Sequence, residues 1–222
     1  MTQELSVILV PQGREYESVK KGIRGSSIQV IPIPMGKTCV NFLENLNLAQ
    51  ESILLMGVAG SLSEQLRVGD VVCYQSCVLL MREQQQLLPE LECTSGFSDA
   101  IISVKGLTTD TIVCSSKQKK ILSQYAEVVD MESYHLLELY QGRSVTILRV
   151  ISDNIQQNLP NLNSAINSQG EIKKISLALA MLREPQASMN LINSSLKSLK
   201  KLESLAREIT RSSQFHFHAD EL

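Results

Sequence analysis

The chain has 222 residues, a length that fits one α/β domain. Hydrophobic residues make up 43% and charged residues 20%, so the composition excludes a chain too polar to bury a core. The formal net charge of −2 gives no electrostatic reason to expect a nucleic-acid partner or an anionic membrane surface.

The first half of the chain alternates short apolar runs with a helical pattern. Val7–Pro11 predicts a buried strand followed by a turn, and residues 15–23 predict a helix. Residues 28–35 contain two prolines, which favour an edge strand. Residues 53–56 predict a third buried strand. It runs into small residues at 57–61, which let a backbone or a ligand come close.

The second half continues in the same way. Residues 71–80 predict a long strand, residues 82–99 a loop or hairpin, and residues 116–125 a helix opened by a serine cap. Val145–Asp153 is an apolar run that ends on an acid and predicts the last buried strand. The remaining predicted elements are strands at 100–105, 111–114 and 128–129, and a helix at 132–140.

The character of the chain changes toward its end. Residues 172–182 predict an apolar-rich helix that Pro185 breaks, and apolar residues then recur at three- and four-residue steps from Met189 to Ile209. This second, amphipathic helix is expected to dock on its own domain or on a second subunit. We therefore divide the chain into an α/β domain (1–184), a C-terminal amphipathic helix (185–211) and a flexible tail (212–222).

Five cysteines, none in a Cys-x-x-Cys pair, are spread along the chain: Cys39, Cys73, Cys77, Cys93 and Cys114. Several stand in apolar runs, so we expect buried, reduced thiols, with a nucleophile or a metal ligand as the alternatives. The first residues lack a basic segment followed by a long apolar one, and no apolar run approaches the ~20 residues of a membrane helix. These patterns predict a cytoplasmic protein with no membrane partner, no metal and no cofactor.

Apolar strands that alternate with helices predict an α/β fold with a mostly parallel sheet covered on both faces. Ligands of such sheets bind beyond the carboxyl ends of the strands. The polar ends of the predicted strands lie at residues 13–15, 57–61, 130–132 and 152–153. We therefore expect the functional site to form where these segments meet.

Four short motifs carry a family resemblance: Gly-Val-Ala-Gly-Ser from Gly57 with Val-Gly-Asp-Val-Val from Val68, Asp-Met-Glu-Ser from Asp130, Arg-Val-Ile-Ser-Asp ending at Asp153, and Glu15 after the first strand. In this order and at these spacings, over residues 5–180, they resemble the nucleoside phosphorylase/nucleosidase superfamily. The methylthioadenosine/S-adenosylhomocysteine nucleosidases are the most similar branch. The resemblance implies a three-layer αβα fold with a mixed, partly barrel-like sheet, to which the C-terminal helix is an addition. It also implies cleavage of the N-glycosidic bond of a nucleoside by a homo-oligomer, with a dimer favoured.

The resemblance gives Asp153 the role of general acid toward N7 of a purine, oriented by Ser152. A purine leaves poorly as an anion, and protonation lets the bond break toward a ribosyl oxocarbenium ion. Such an acid must keep its proton near neutral pH, which burial at a strand end favours. Taken alone, Asp153 fits equally well as a cap of the turn that follows it. Arg149, on the same apolar strand, is expected to be the buried partner of a carboxylate.

The resemblance also assigns the sugar and the base. Glu132 would accept the 2′ and 3′ hydroxyls, and Met131 would pack against the sugar face. The segment Gly57, Val58 and Ala59 would come close to the substrate, and backbone groups of Ile112 and Val113 would bind the purine edge. Glu132 and Glu15 each have a simpler interpretation as acidic residues at the start of a helix.

Hydrolysis and phosphorolysis differ in their nucleophile. Phosphorolysis needs a cationic phosphate site, but the positions that carry the phosphate ligands in related phosphorylases hold Leu55 and Val58 here. Glu15 matches the glutamate that hydrolytic relatives use to activate water, although the neighbouring Arg14 leaves an anion site open. We therefore favour a nucleosidase acting on a methylthioadenosine-like or related adenosyl compound. A phosphorylase, or a non-catalytic relative that binds nucleosides, is the alternative.

Overall fold

The computed structural model describes residues 5, 7–46, 48, 52–81, 86–94, 101–163, 173, 179 and 181–211. The strands are β1 (Val7–Pro11), β2 (Gln29–Ile33), β3 (Ile53–Ser61), β4 (Val71–Met81), β5 (Gln86–Leu87), β6 (Leu91–Glu92), β7 (Ile102–Thr109), β8 (Val128–Asp130) and β9 (Val145–Asp153). The helices are α1 (Arg14–Gly22), α2 (Cys39–Glu44), α3 (Ser116–Leu122), α4 (Ser133–Leu139) and α5 (Pro185–Arg211), with a 3₁₀ turn at Gly36–Thr38 before α2.

Five of the strands close into a ring. β3 pairs with β9, β9 with β4, β4 with β7, β7 with β8, and β8 returns to β3. The β3–β9, β4–β7 and β7–β8 pairs are parallel, whereas the β9–β4 and β8–β3 pairs are antiparallel. β1 and β2 extend the sheet from β3 in parallel. The mixed α/β fold is thus confirmed, and its sheet is closed as a barrel.

Helices cover both faces of the sheet at β1 and β3. Alternate residues of a strand point to opposite faces. Val7 and Leu9 share one core cluster with Cys39 and Leu43 of α2 and with residues of α4. Ile8 lies in a second cluster with α1 and α5. The fully buried continuous runs of β1 and β9 follow from this coverage.

α5 docks on the chain's own core. Leu202, Leu205, Ala206 and Ile209 are buried in the cluster that also holds residues of α1 and β1. The two helices approach closely at Gly22, where an added Cβ would lie 2.7 Å from Cβ of Ala206. α5 begins at Pro185, because proline fits the first turn of a helix and cannot continue a preceding one.

Two of the predicted strands differ from the structure. The strand predicted at residues 53–56 is longer, because β3 continues through Ser61 and pairs with β9 and β8 there. Residues 111–114 are not a strand; β7 ends at Thr109, and the following segment is held by side chains instead of a strand ladder. Most of the predicted helix at 172–182, and the tail from residue 212, lie outside the described residues. None of the helices in the described ranges is long and apolar enough to cross a membrane.

Candidate active site

One cavity of about 200 Å³ opens where the carboxyl end of β9 meets β3, β8 and the segment after β7. Its polar wall includes Glu15, Asp130, Glu132 and Asp153, and its apolar wall includes Met35, Val58, Ile112, Val113, Met131 and Leu191. No lysine or arginine is among the lining residues that the structure describes. The cavity is therefore acidic and partly apolar.

Asp153 ends β9 with both carboxylate oxygens held. The hydroxyl of Ser152 lies 2.6 Å from Oδ1, and the ammonium group of Lys119, from α3, donates to Oδ2. Asp153 is 4% exposed and Lys119 0%. Gly60 of β3 makes room for this arrangement, because an added Cβ there would lie 3.1 Å from Oδ2. Asp153 is thus a buried carboxyl that faces the cavity with a buried cation beside it.

Asp130 is the centre of a buried hydrogen-bond network at the end of β8. Its carboxylate accepts bonds from the hydroxyl of Tyr74 at 3.1 Å, the hydroxyl of Thr108 at 2.8 Å, and the hydroxyl of Ser133. The guanidinium of Arg149 donates to it at 2.8 Å. Burial raises the pKa of Tyr74 well above its usual value, so Tyr74 remains a donor to Asp130.

Arg149 links Asp130 to Glu132. Its Nη2 lies 3.4 Å from Oε2 of Glu132, while Oε1 of Glu132 accepts the backbone N–H of Gly36 at 2.9 Å. Burial lowers the pKa of Arg149, but the carboxylates of Asp130 and Glu132 more than offset this, so its pKa is raised. Burial also raises the pKa of Glu132, and Arg149 opposes that shift. The prediction that Arg149 is a buried carboxylate partner is confirmed.

Glu15 approaches the same cluster from the first turn of α1. Its Oε2 accepts the backbone N–H of Val58 at 2.8 Å. Burial raises the pKa of Glu15 to about 7, although the charge of Arg149 lowers it. Nη1 of Arg149 has no hydrogen-bond partner among the described residues. A Cβ added at Gly57 would overlap this Nη1 and would lie 2.6 Å from Oε2 of Glu15, so the two groups fill the space that a side chain at this position would need.

The segment after β7 forms the wall opposite the carboxylates. The side-chain amide of Asn163 holds Ile112 on both sides: the Ile112 N–H donates to Oδ1 at 2.8 Å, and Nδ2 donates to the Ile112 carbonyl at 3.0 Å. The N–H and carbonyl of Val113 have no partner among the described residues. Val113 therefore has backbone groups at the cavity that no described residue occupies, whereas Asn163 occupies those of Ile112.

The structure brings together around the cavity all the predicted site residues except Gly57, which lies behind Glu15 and Arg149. Sequence reasoning missed Lys119 and the Tyr74–Thr108 contacts to Asp130. Lys119 stands in a Lys-Gln-Lys-Lys run that resembles a solvated surface. The only signal is that it precedes the buried Leu122 by three residues on one helix face. Among the described residues, no group of three or more His, Cys, Asp or Glu side chains is placed to hold a metal ion.

The chain was compared with solved protein structures to find proteins that share its fold. The chain has the fold of the methylthioadenosine/S-adenosylhomocysteine nucleosidases and of futalosine hydrolase. The nucleosidase of Helicobacter pylori, solved in complex with a substituted pyrrolidin-3-ol, superposes with a TM-score of 0.67 at 16% identity over 94% of this chain and 98% of its own.

Two further solved structures agree with this. Futalosine hydrolase of H. pylori gives a TM-score of 0.67 at 16% identity, over 94% of this chain and 97% of its own. The Campylobacter jejuni nucleosidase gives 0.62 at 13% identity, over 92% and 100%. No protein-family model and no curated protein sequence matches the chain.

Proposed function

We propose that the chain hydrolyses the N-glycosidic bond of a purine nucleoside, in particular a methylthioadenosine-like or related adenosyl compound. The observation that carries this proposal is the cavity wall: four carboxyl groups, and no cationic side chain among its described lining residues. Such a wall stabilises a ribosyl cation as it develops, and it repels a phosphate co-substrate.

Asp153 serves the leaving group. As the bond from the sugar C1′ to the purine N9 breaks, its electron pair moves onto the base, and Asp153 gives its proton to N7. Ser152 holds the carboxyl in orientation through its contact with Oδ1. The backbone groups of Val113 have no partner among the described residues and suit the purine edge, since its N–H and carbonyl offer one donor and one acceptor to the base.

Glu132 serves the sugar. Oε1 already accepts one N–H, from Gly36, and Oε2 is 3.4 Å from Arg149, so the carboxylate is fixed but keeps lone pairs for the ribose hydroxyls. Its negative charge then faces the ring as positive charge develops there. Met131 packs close to Gly36, where an added Cβ would lie 3.3 Å from its terminal methyl group. Its flexible thioether supplies an adaptable apolar contact to the sugar face.

Glu15 and Arg149 serve the water. Glu15 lines the cavity, and the charge of Arg149 behind it favours the ionised carboxylate. A water molecule in the cavity can donate a hydrogen bond to Glu15. As its oxygen adds to C1′, Glu15 takes its proton, which a carboxyl group with a pKa of about 7 does well near neutral pH.

The described residues around the cavity do not form the cationic site that phosphorolysis needs. Leu55 is completely buried in β3, and Val58 uses its N–H on Glu15. Arg14, the remaining candidate for an anion site, lines a separate surface groove with Glu17 and Lys21. Lys119 and Arg149, the cations that contact the carboxylates of the cavity wall, form ion pairs with Asp153, Asp130 and Glu132. Water is therefore the nucleophile.

Release of free base decides the proposal. Purified protein is incubated with methylthioadenosine, adenosylhomocysteine, adenosine and inosine, with and without phosphate, and the base and sugar products are separated by chromatography. We expect free sugar and base without phosphate. Release that requires phosphate and yields a sugar 1-phosphate would contradict hydrolysis. Tight binding without release would identify a non-catalytic nucleoside-binding protein.

We further propose that the protein works in the cytoplasm as a homo-oligomer, with a dimer favoured. The support is the exposed apolar side chains of Met189, Ile192 and Leu196, which follow one another at helical spacing on α5. Light scattering coupled to size exclusion measures the mass directly.

A further inference from the structure

Lys119 is a buried lysine whose hydrogen-bonding capacity is filled. It projects from α3, is 0% exposed, and donates to the carboxylate of Asp153 and to the carbonyls of Asn154 and Gln157, both at 3.0 Å. An ammonium group has three N–H donors, so each has an acceptor. A buried lysine is costly unless its charge is paired, and the carboxylate of Asp153 supplies that pairing. The pairing raises the question of what a buried cation does beside Asp153.

The position of Lys119 relative to the cavity is informative. Asp153 and Ser152 line the cavity, whereas Lys119 does not, so the ammonium group lies behind the carboxyl group as seen from a bound base. Lys119 holds Oδ2 and Ser152 holds Oδ1. The carboxyl plane is therefore fixed from two sides, and the remaining lone pairs are left for the cavity.

We propose that Lys119 is a positioning residue for the leaving-group step, an inference that rests on the proposed hydrolysis. When the C1′–N9 bond breaks, the electron pair goes to the purine and N7 takes the proton of Asp153. The carboxylate that remains then faces a permanent buried cation. The proton released when water adds to C1′ goes to Glu15, and it returns to Asp153 through solvent after the products leave. Lys119 thus stabilises the charge that the acid acquires in the transition state.

A purely structural role for Lys119 makes a different prediction. Through the carbonyls of Asn154 and Gln157, Lys119 also ties down the turn after β9. Loss of that tie would disturb every substrate alike. Loss of the charge beside Asp153 would affect only leaving groups that need a proton. A leaving group that departs readily as an anion, such as 4-nitrophenolate, therefore separates the two roles.

The test compares Lys119→Met with Lys120→Met, which removes the same charge one position away at an exposed site of α3. Each variant and the wild type are assayed on methylthioadenosine and on 4-nitrophenyl riboside. We expect Lys119→Met to lower kcat for the purine nucleoside about 100-fold with little change in KM, the usual scale of acid catalysis, and to change nitrophenol release less than about 3-fold. Lys120→Met is expected to match the wild type on both.

Two results would overturn the proposal: equal losses on both substrates, or no loss on the nucleoside. If Lys119→Met does not fold, Lys119→Ala is assayed with propylammonium and with propanol. Recovery of nucleoside cleavage by the cation alone supports the proposal, and recovery by neither or by both contradicts it. A wild type that releases no base refutes the hydrolase itself, so the two failures are distinguishable.

Discussion

At the scale of single residues, the site places carboxyl groups with different tasks in different surroundings. Asp153 is paired with a buried cation, whereas Glu15 faces the open Nη1 of Arg149 and has a pKa of about 7. Their positions divide the acid and base work: in the proposed reaction Asp153, at the end of β9, acts on the purine, and Glu15, at the start of α1, acts on the water.

Asp153→Asn is expected to lower the rate of base release by about 10²- to 10⁴-fold, the range for loss of a general acid, because an amide has no proton to give N7. The measurement is kcat on methylthioadenosine. Asp110→Asn is the control, since Asp110 is exposed beyond the end of β7. Near-normal turnover in Asp153→Asn would show that Asp153 only caps the turn after β9.

The pKa of Glu15 predicts how kcat/KM falls at acidic pH. A base must be ionised, and the ionised fraction of Glu15 falls as the pH drops through its pKa of about 7. We expect kcat/KM to fall about tenfold per pH unit below that value. Glu15→Gln is expected to be slow at every pH and to lose this limb, whereas Glu17→Gln, an exposed neighbour in the same helical turn, is expected to keep it.

Glu15 also makes the stability of the fold depend on pH, and stability falls over the pH range in which activity rises. Its folded pKa, about 7, lies above its ordinary value of 4.5, so the folded chain holds this proton more tightly than the unfolded chain. Its contribution to stability is complete below about pH 4.5 and is lost as the pH rises toward 7. Thermal melting of Glu15→Gln should therefore show a smaller decline over this window. An identical decline would contradict the raised pKa of Glu15.

At the scale of elements, β3 carries the site through its glycines. Gly57 leaves room for Arg149 and Glu15, and Gly60 leaves room for Asp153 at a register shift in the β3–β9 pair. The sequence interpretation assigned Gly57 to substrate contact, but the strand directs this position toward two functional side chains. A side chain is missing there because the functional groups of β9 and α1 occupy the space.

Gly57→Ala is expected to destabilise the fold by about 1–3 kcal/mol, the usual cost of overpacking, and to lower kcat strongly by displacing Glu15 and Arg149. Chemical denaturation and turnover measure the two effects. Gly142→Ala is the control: at φ 76° the added methyl is strained but meets nothing within 4 Å, so it should cost stability and leave turnover intact. Normal turnover in Gly57→Ala would contradict the role given to this space.

At the scale of the whole molecule, ring closure and helix docking bring distant segments to one cavity. The three-residue strand β8 completes the barrel and places Asp130 and Glu132 next to β3 and β9. α5 packs on α1, and Ser198 donates to the carbonyl of Ile151 at 2.8 Å, which connects the C-terminal helix to the strand that carries Asp153. The predicted boundary at residue 184, between the α/β domain and the C-terminal helix, remains a prediction. In the structure α5 shares a hydrophobic core with β1.

Leu202→Ala tests that shared core. Leu202 is 0% exposed, whereas Lys200, two residues earlier on α5, is exposed. We expect Leu202→Ala to lower the free energy of unfolding by about 2–5 kcal/mol, and Lys200→Ala by no more than about 0.5 kcal/mol. Denaturant unfolding measures both. Equal small effects would mean that α5 is a separate appendage.

The sequence by itself determined most of the strands and the α/β class, because buried runs that end on polar residues are local patterns, and its family resemblance supplied most of the residues around the cavity. The tertiary structure decided the rest. Lys119 looks like a surface lysine until α3 is docked against the end of β9. Ile112 and Val113 look equivalent until Asn163 occupies the backbone of one of them. Gly57 looks like a ligand contact until Arg149 and Glu15 are packed against it. Each depends on contacts between residues far apart in the chain, which no local pattern contains.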